Sequence, residues 1–179
     1  FLNAEIELRT FSPEIVSELQ RENALTTEYS KLIASAQIPF EGQIYTISQL
    51  SPLKQDPDPE RRAAAWSAEN AWYEENEQRL DEIYSELVKL RDAMGKKLGY
   101  DGYTPLGYDR MVRNCYSKED VESFRAAVRE YIVPIATRVY EVVARRLGKS
   151  LPMGYVDCAM WFPGGNAKPT GTPEEILAA

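Results

Sequence analysis

The chain contains no histidine, so its carboxylates are the first side chains to consider for catalysis or metal binding. Zinc hydrolases, Ser-His-Asp triads, Cys-His nucleophiles and di-iron Glu-x-x-His sites all require at least one imidazole. Such chemistry is therefore either absent from this protein or located elsewhere in a longer one. We accordingly assign no catalytic residue and no metal ligand, and the sequence singles out no substrate-binding position.

A group of six acidic residues could form a carboxylate metal site or a general acid–base pair. An enzyme with paired carboxylates needs two acids whose pKa values are pushed apart in a pocket, and the sequence shows no sign of that pocket. The di-iron version fails without histidine. We therefore interpret the group as a solvated helix face. Its members are Glu74, Glu75, Glu77, Asp81, Glu82 and Glu86.

Residues 163–169 contain two glycines and a lysine, as a phosphate-binding loop would. The spacing to Lys168 is wrong for that motif, no Ser or Thr follows the lysine, and no strand clearly precedes the segment. We interpret these residues as a surface turn.

Asp109, Arg110, Arg113 and Asn114 form a polar cluster beside Tyr108. Clusters of this kind more often lock helices together than catalyse a reaction. We therefore predict a structural role for it.

Four aromatic residues, Trp66, Trp72, Tyr73 and Tyr84, could line a peptide channel, because aromatic walls bind extended chains. Three of these positions also suit helix packing. Burial in a core is therefore the default interpretation, and channel lining is the alternative.

Helical patterns cover most of the chain, so we predict a mainly α fold, an elongated bundle of long helices with one short β-hairpin. Ser12 caps the first clear helix, and a Glu41-Gly42 turn divides the only strand-like stretch. We treat residues 1–179 as a single helical lobe. Its expected elements are N-terminal helices over 1–37, a short β feature over 38–50, a long helix over 58–98, a short helix over 104–113, a long helix over 117–148, a loop over 149–171 and a helix start over 172–179.

The longest predicted helix begins after Asp58-Pro59, and no proline or glycine interrupts it before Gly95. At ~1.5 Å per residue it would be about 60 Å long. A compact globule of this chain length is only about 40 Å across, so the helix predicts an elongated lobe. The positions expected to be buried are Trp66, Tyr73, Leu80, Leu87 and Met94, with Ile83 and Leu90 between them.

The second long helix has a capping-box start at Ser117. Pro134 lies inside it and removes the hydrogen bond to Glu130, so we expect a kink there. An apolar stripe runs along the whole helix. Its members are Val121, Phe124, Val128, Ile132, Ile135, Val139, Val143 and Leu147.

The last residues begin a helix that has little room to continue. Thr172 can cap it, Pro173 suits its first position, and Glu174 and Glu175 favour the positive end of the helix dipole. Only about seven residues remain, fewer than the ~12–15 of a marginal isolated helix. We therefore expect this chain to be a fragment of a longer one.

Composition excludes several classes of partner. The net charge is −7, from 21 basic and 28 acidic residues, whereas nucleic acids and anionic membranes require clustered Lys and Arg. No apolar run of ~18 residues is present, so we predict no membrane span. Cys115 and Cys158 are far apart in sequence, and we expect free thiols in a reducing cytoplasm.

The order of several short motifs resembles the segment ahead of the catalytic centre in oligoendopeptidase F, of the thimet-oligopeptidase-like zinc metallopeptidases. The resemblance covers nearly the whole chain, and the ordered series with matching gaps carries it. The motifs are Phe40-x-Gly42 with Tyr45-Thr46-Ile47-Ser48-Gln49-Leu50; Asp58-Pro59-Glu60-Arg61-Arg62-Ala63-Ala64; Leu87-Val88-Lys89-Leu90-Arg91 with Leu98-Gly99-Tyr100; Leu106-Gly107-Tyr108-Asp109-Arg110-Met111; Phe124-Arg125 with Ile132-Val133-Pro134; and Gly165-Asn166-x-Lys168-Pro169-x-Gly171-Thr172.

This resemblance implies part of a larger helical metallopeptidase with a deep channel that admits short peptides and excludes folded proteins. It implies a zinc ion held by a His-Glu-x-x-His helix and a later Glu, which activates a water for attack on the peptide bond. None of those ligands occurs here, because the family's catalytic motif lies beyond the matched region.

The expected function is therefore that of a non-catalytic segment of a cytoplasmic zinc endopeptidase, which forms wall of the substrate channel. The segment alone should bind no zinc and be inactive. Its expected partners are the rest of the same polypeptide and, in the intact enzyme, an oligopeptide substrate. The alternative is a free-standing helical module that binds a partner helix or peptide in a groove.

Overall fold

One helix of 39 residues, α4 (Pro59–Lys97), dominates the computed structural model, which describes residues 1–178. The Asp58 side chain caps it by accepting a hydrogen bond from the Glu60 amide at 2.9 Å. At ~1.5 Å per residue α4 is about 58 Å long. The predicted fold class, long helices with one hairpin, is confirmed. The other elements are α1 (Leu2–Arg9), α2 (Val16–Ala34), β1 (Ile38–Phe40), β2 (Gln43–Tyr45), α3 (Ile47–Leu50), α5 (Tyr103–Arg110), α6 (Lys118–Ala127), α7 (Val133–Arg146) and α8 (Pro173–Ala178).

Strands β1 and β2 pair antiparallel, with Ile38 opposite Tyr45. Glu41 and Gly42 both have positive φ, 49° and 77°, as a two-residue hairpin turn requires. The β feature is shorter than the predicted 38–50, because Thr46 and Gln49 form a capping box that starts α3.

Helix α2 runs antiparallel to α4, and ion pairs join the two along their length. Arg21 Nε lies 2.5 Å from Glu86 Oε1, and Arg79 pairs with Glu28 further along. Two buried clusters lie toward opposite ends of α4. One contains Ala36, Ile38, Phe40, Leu50, Ala65 and Trp72, and the other contains Ile15, Met94 and Leu106.

The buried side of α4 does not follow the predicted seven-residue spacing. Trp72, Ile83 and Met94 are buried at eleven-residue intervals, whereas Tyr73 is 37% exposed. A straight α-helix has about 3.6 residues per turn, so a seven-residue line drifts by roughly 20° per repeat, and this drift accumulates over the four repeats from Trp66 to Met94. An eleven-residue line drifts by a similar angle per repeat, but only two such steps separate Trp72 from Met94, so these side chains stay on one side of α4.

Helix α5 ends earlier than the predicted 104–113. Val112 adopts a left-handed conformation with φ of 52°, and the Arg113 amide donates to the Tyr108 carbonyl at 3.0 Å. This turn closes the helix after Arg110.

The predicted helix over 117–148 is divided into α6 and α7 by a π-helical segment, Val128–Ile132. Pro134 has no amide hydrogen, and its ring crowds the carbonyl of Glu130, so the wider turn accommodates it. Half of the apolar stripe on these helices is exposed to solvent. Phe124 is 69% exposed and Ile135 57%, while Val143 is buried.

The segment after α7 folds back onto the start of α4. Arg62 is buried and donates to Asp157 Oδ1 at 2.6 Å and to the Val156 carbonyl at 3.0 Å. Thr172 caps α8 by accepting from the Glu175 amide, and the predicted last position, Ala179, lies outside the described residues. No helix within residues 1–178 is long and apolar enough to cross a lipid bilayer.

Candidate functional site: a tyrosine-lined groove between two helices

An apolar groove of about 440 Å³ lies between α2 and α4. Ile83 forms its floor and is almost fully buried, while three tyrosines at its edge remain accessible. Tyr29 is 49% exposed, Tyr73 37% and Tyr84 71%. The remaining lining residues are Ile33, Leu80, Asp81 and Leu87.

Helical geometry brings these tyrosines together. Tyr73 and Tyr84 are eleven residues apart on α4, which is close to three full turns, so they share one side of the helix. Antiparallel packing of α2, held by the ion pair between Arg79 and Glu28, places Tyr29 opposite them.

The groove suits binding rather than bond chemistry. Burial, followed by the negative charge of Glu69 and the neighbouring Tyr29, raises the pKa of Tyr73. Its phenol therefore stays neutral near pH 7 and can donate a hydrogen bond. Aromatic rings with a polar tip can hold an apolar side chain while a hydroxyl contacts a peptide group.

The structure separates the four aromatic candidates into two pairs. Tyr73 and Tyr84 line the groove, and neither is buried in a core. Trp72 is buried behind it and makes an edge contact with Tyr73, with ring centroids 5.1 Å apart. Trp66 packs elsewhere, at 5.4 Å from the Tyr155 ring.

The acidic candidates on α4 form an exposed face. Glu82 pairs with Arg79, and Glu86 pairs with Arg21. The hydrogen bonds from these arginines hold the pKa of each carboxyl below its usual value. The other four are exposed, namely Glu74, Glu75, Glu77 and Asp81.

A zinc site requires three or four converging His, Cys, Asp or Glu side chains. Among residues 1–178, no three such side chains lie close enough to hold a metal ion. The donor set therefore does not fit zinc, and we assign no part of a metal-dependent reaction to it. Cys115 and Cys158 are exposed free thiols.

The predicted polar cluster joins helices. Its partner is Glu22 on α2, and no pattern in the sequence indicated this residue. The Glu22 side chain is 5% exposed and accepts hydrogen bonds from Arg110 at 2.8 Å and Arg91 at 2.7 Å. Burial raises the pKa of Glu22, but the hydrogen bonds and charges of Arg110 and Arg91 outweigh burial, so the pKa lies below its usual value. The cluster locks α2, α4 and α5 together.

Its other members also contact neighbouring elements. Asp109 accepts a hydrogen bond from the Tyr100 hydroxyl at 2.6 Å. Burial of the phenol and, second, this hydrogen bond raise the pKa of Tyr100 to about 12. Arg113 lies 5.0 Å above the Tyr108 ring, and Asn114 bonds to Asn3.

Residues 163–169 form a turn anchored to the body of the protein. Asn166 accepts from the Trp161 amide at 2.8 Å and donates to Gln55 and to the Ala159 carbonyl. These bonds turn its polar atoms inward, and the next helix begins only at Pro173. The arrangement matches the predicted turn and not a phosphate loop.

Sequence reasoning missed Tyr29 and Ile33 as lining residues of the groove. Both were assigned only to an apolar helix side, and they lie 40 or more residues before Tyr73 in the chain. Only the packing of α2 on α4 brings them to the site, and no local pattern encodes that packing.

No model of a known protein family matches the sequence. Solved structures do match the fold. An oligoendopeptidase F from Bacillus anthracis strain Ames superposes with a TM-score of 0.95 at 41% identity, over 99% of this chain and 32% of its own. The resemblance to oligoendopeptidase F is thus confirmed.

Two further proteins extend the comparison. PZ peptidase A, solved with an inhibitor, matches this chain with a TM-score of 0.94 at 44% identity, over 99% of this chain and again 32% of its own. The mitochondrial intermediate peptidase of Candida glabrata is 29% identical over 141 residues, which is 79% of this chain and 16% of that protein. The chain thus spans about one third of its solved relatives, and all of these relatives are peptidases by name.

Proposed function

We propose that this chain is a non-catalytic segment of a zinc-dependent endopeptidase that hydrolyses short oligopeptides. The observation that carries the proposal is the superposition on an oligoendopeptidase F over 99% of the chain at 41% identity. The intact enzyme would hold zinc with residues outside this segment, because the donors within it do not converge. We place the enzyme in the cytoplasm, where exposed free thiols such as Cys115 and Cys158 are normal.

We assign the tyrosine-lined groove to the wall of the substrate channel. A channel wall must be wetted between turnovers and must then bind a peptide. Tyrosine suits both states, since its ring packs on apolar side chains and its hydroxyl remains solvated or bonds to the peptide. The side chains of Tyr29 and Tyr84 are accessible to solvent and lie above the buried Ile83, as this role requires.

A chimera tests the proposal directly. The matched third of the Bacillus anthracis oligoendopeptidase F is replaced by this chain, and cleavage of an internally quenched oligopeptide is followed with and without a chelator. We expect chelator-sensitive cleavage by the chimera, and neither cleavage nor stoichiometric zinc for the chain alone. The unmodified relative serves as the positive control.

Two results would contradict the proposal. Zinc binding or peptide cleavage by the chain alone would mean that the chemistry lies inside it. A folded chimera that cleaves no peptide would mean that this segment does not perform the role of the one it replaced, and the interaction module would become the leading account.

A further inference from the structure

One aliphatic strip on α7 is exposed and takes no part in the tyrosine-lined groove. It consists of Ile132, just before α7, and of Ile135, Val139 and Val142. Their exposed fractions are 54%, 57%, 44% and 46%. Unlike tyrosines, these side chains have no polar atom, so water contact costs them free energy at all times. Aliphatic surface of this kind suits permanent burial, as in obligate interfaces.

The spacing of the aliphatic strip specifies a helix as its occupant. Steps of three, four and three residues are those of the a and d positions of a heptad, which receive the side chains of a second helix lying almost parallel or antiparallel. A strand partner would not match this period.

One edge of the aliphatic strip and its C-terminal end are already covered. Val143, four residues after Val139, and Ala144 are buried, and the Tyr140 ring lies tilted against Trp161 of the following segment, with ring centroids 6.3 Å apart. Arg146, one heptad after Val139, donates to the Trp161 carbonyl. The four strip residues between these contacts remain open, as expected for a helix that becomes central in a larger fold.

Charges beside the aliphatic strip define its partner further. In the same heptad, Arg138 and Arg145 both fall at the position that flanks the seam. Within the part of the chain that the structure describes, neither arginine takes part in an ion pair closer than 4.0 Å. A complementary helix would carry Asp or Glu opposite them.

A second copy of the chain fits less well. An antiparallel pair would place these arginines opposite each other, and a parallel pair would place Arg138 opposite Val143 and Arg145 opposite Ser150, so neither arrangement supplies an acid. The strip also covers only about one and a half heptads, less than the 3–4 expected of a free-standing coiled coil. A seam this short is favoured when both helices belong to one polypeptide, because the effective concentration is then high.

We propose that the aliphatic strip of α7 packs against an acidic-flanked amphipathic helix from the rest of the peptidase polypeptide. The relatives supply the length for such a helix, since about two thirds of their chains lie outside the matched segment. This inference rests on the proposed function, and it names the surface through which the segment joins the remainder of the enzyme.

Thiol labelling of the chimera tests this docking independently of activity. In a Cys115→Ser/Cys158→Ser background, Ile135→Cys and Val139→Cys each place one thiol on the strip, and Glu141→Cys is the matched control on the exposed polar side of the same helix. We expect labelling at the strip to be at least about tenfold slower in the chimera than in the chain alone. The control should change less than about threefold.

The outcomes separate the two proposals. Equally fast labelling of both strip positions in an active chimera would overturn the docking and leave the proposed function intact. Slow labelling in a folded but inactive chimera would support the docking and overturn the proposed function. A chimera that neither folds nor cleaves peptide would overturn both. In an active chimera, Arg138→Glu should also accelerate labelling at Ile135→Cys, whereas Arg138→Lys should not.

Discussion

Gly95 is predicted to be intolerant of alanine although it lies inside a helix. In a helix interior, Gly→Ala ordinarily stabilises by about 1 kcal/mol. Gly95, however, is buried where α4 passes the loop that leads into α5. A Cβ added there would overlap the Gly102 carbonyl oxygen, lying 2.6 Å from the carbonyl carbon and 3.1 Å from the Tyr103 amide nitrogen. Backbone atoms cannot rotate away as a flexible side chain could.

Gly107 provides the matched control, because it is also a buried helical glycine. A Cβ at Gly107 would meet only the Tyr103 ring, at 3.4 Å, which is ordinary contact. Gly107→Ala should therefore be neutral or stabilise by up to about 1 kcal/mol. Overpacking costs about 1–3 kcal/mol, and the rigid backbone at Gly102 favours the upper part of that range, about 2–3 kcal/mol. After the gain of about 1 kcal/mol in helix propensity, Gly95→Ala should destabilise by about 1–2 kcal/mol.

Urea unfolding followed by circular dichroism measures the difference between the two variants. With a slope of about 2 kcal/mol per molar urea, the midpoints of Gly95→Ala and Gly107→Ala should differ by about 1 M. Equal midpoints, or a higher midpoint for Gly95→Ala, would refute the close approach of α4 to Gly102.

Three further predictions concern the charge cluster and the groove. Glu22→Gln should cost about 1–3 kcal/mol in urea unfolding, because two partly buried guanidinium groups lose their counter-charge. Glu86→Gln, at a more exposed side chain, should change stability little. Equal losses of stability in the two variants would contradict the stronger role of the buried Glu22. Because the pKa of Glu22 is lower in the folded chain, its contribution to the free energy of unfolding should be complete above about pH 4.5 and lost as the pH falls through the pKa of the folded state. Urea titrations that show no such loss of stability in acid would contradict this contribution. In the chimera, Tyr84→Ala should raise KM for an apolar peptide about three- to tenfold with kcat nearly unchanged, while Val88→Ala, also exposed on α4, should leave both constants unaltered.

Local signals in the sequence were sufficient for the elements that depend only on near neighbours. The Glu41-Gly42 pair encodes the hairpin turn, since a two-residue connection needs two positive φ angles. Asp58 and Pro59 encode the start of α4 in the same way, through a cap and a residue that sacrifices no hydrogen bond. The missing histidines excluded imidazole chemistry within this sequence, and the ordered motifs gave the resemblance to oligoendopeptidase F that the solved structures confirm.

Tertiary structure alone decided which surfaces are buried, joined or left open. Glu22 bonds to Arg110 across 88 residues of sequence, and Tyr29 and Tyr84 line one groove only because α2 packs antiparallel on α4. The apolar periodicity of α7 was visible in the sequence, yet whether Ile135 is covered or exposed was not. Periodicity reports which side of a helix avoids water, whereas burial depends on which other element reaches that side, and that choice is a property of the whole fold.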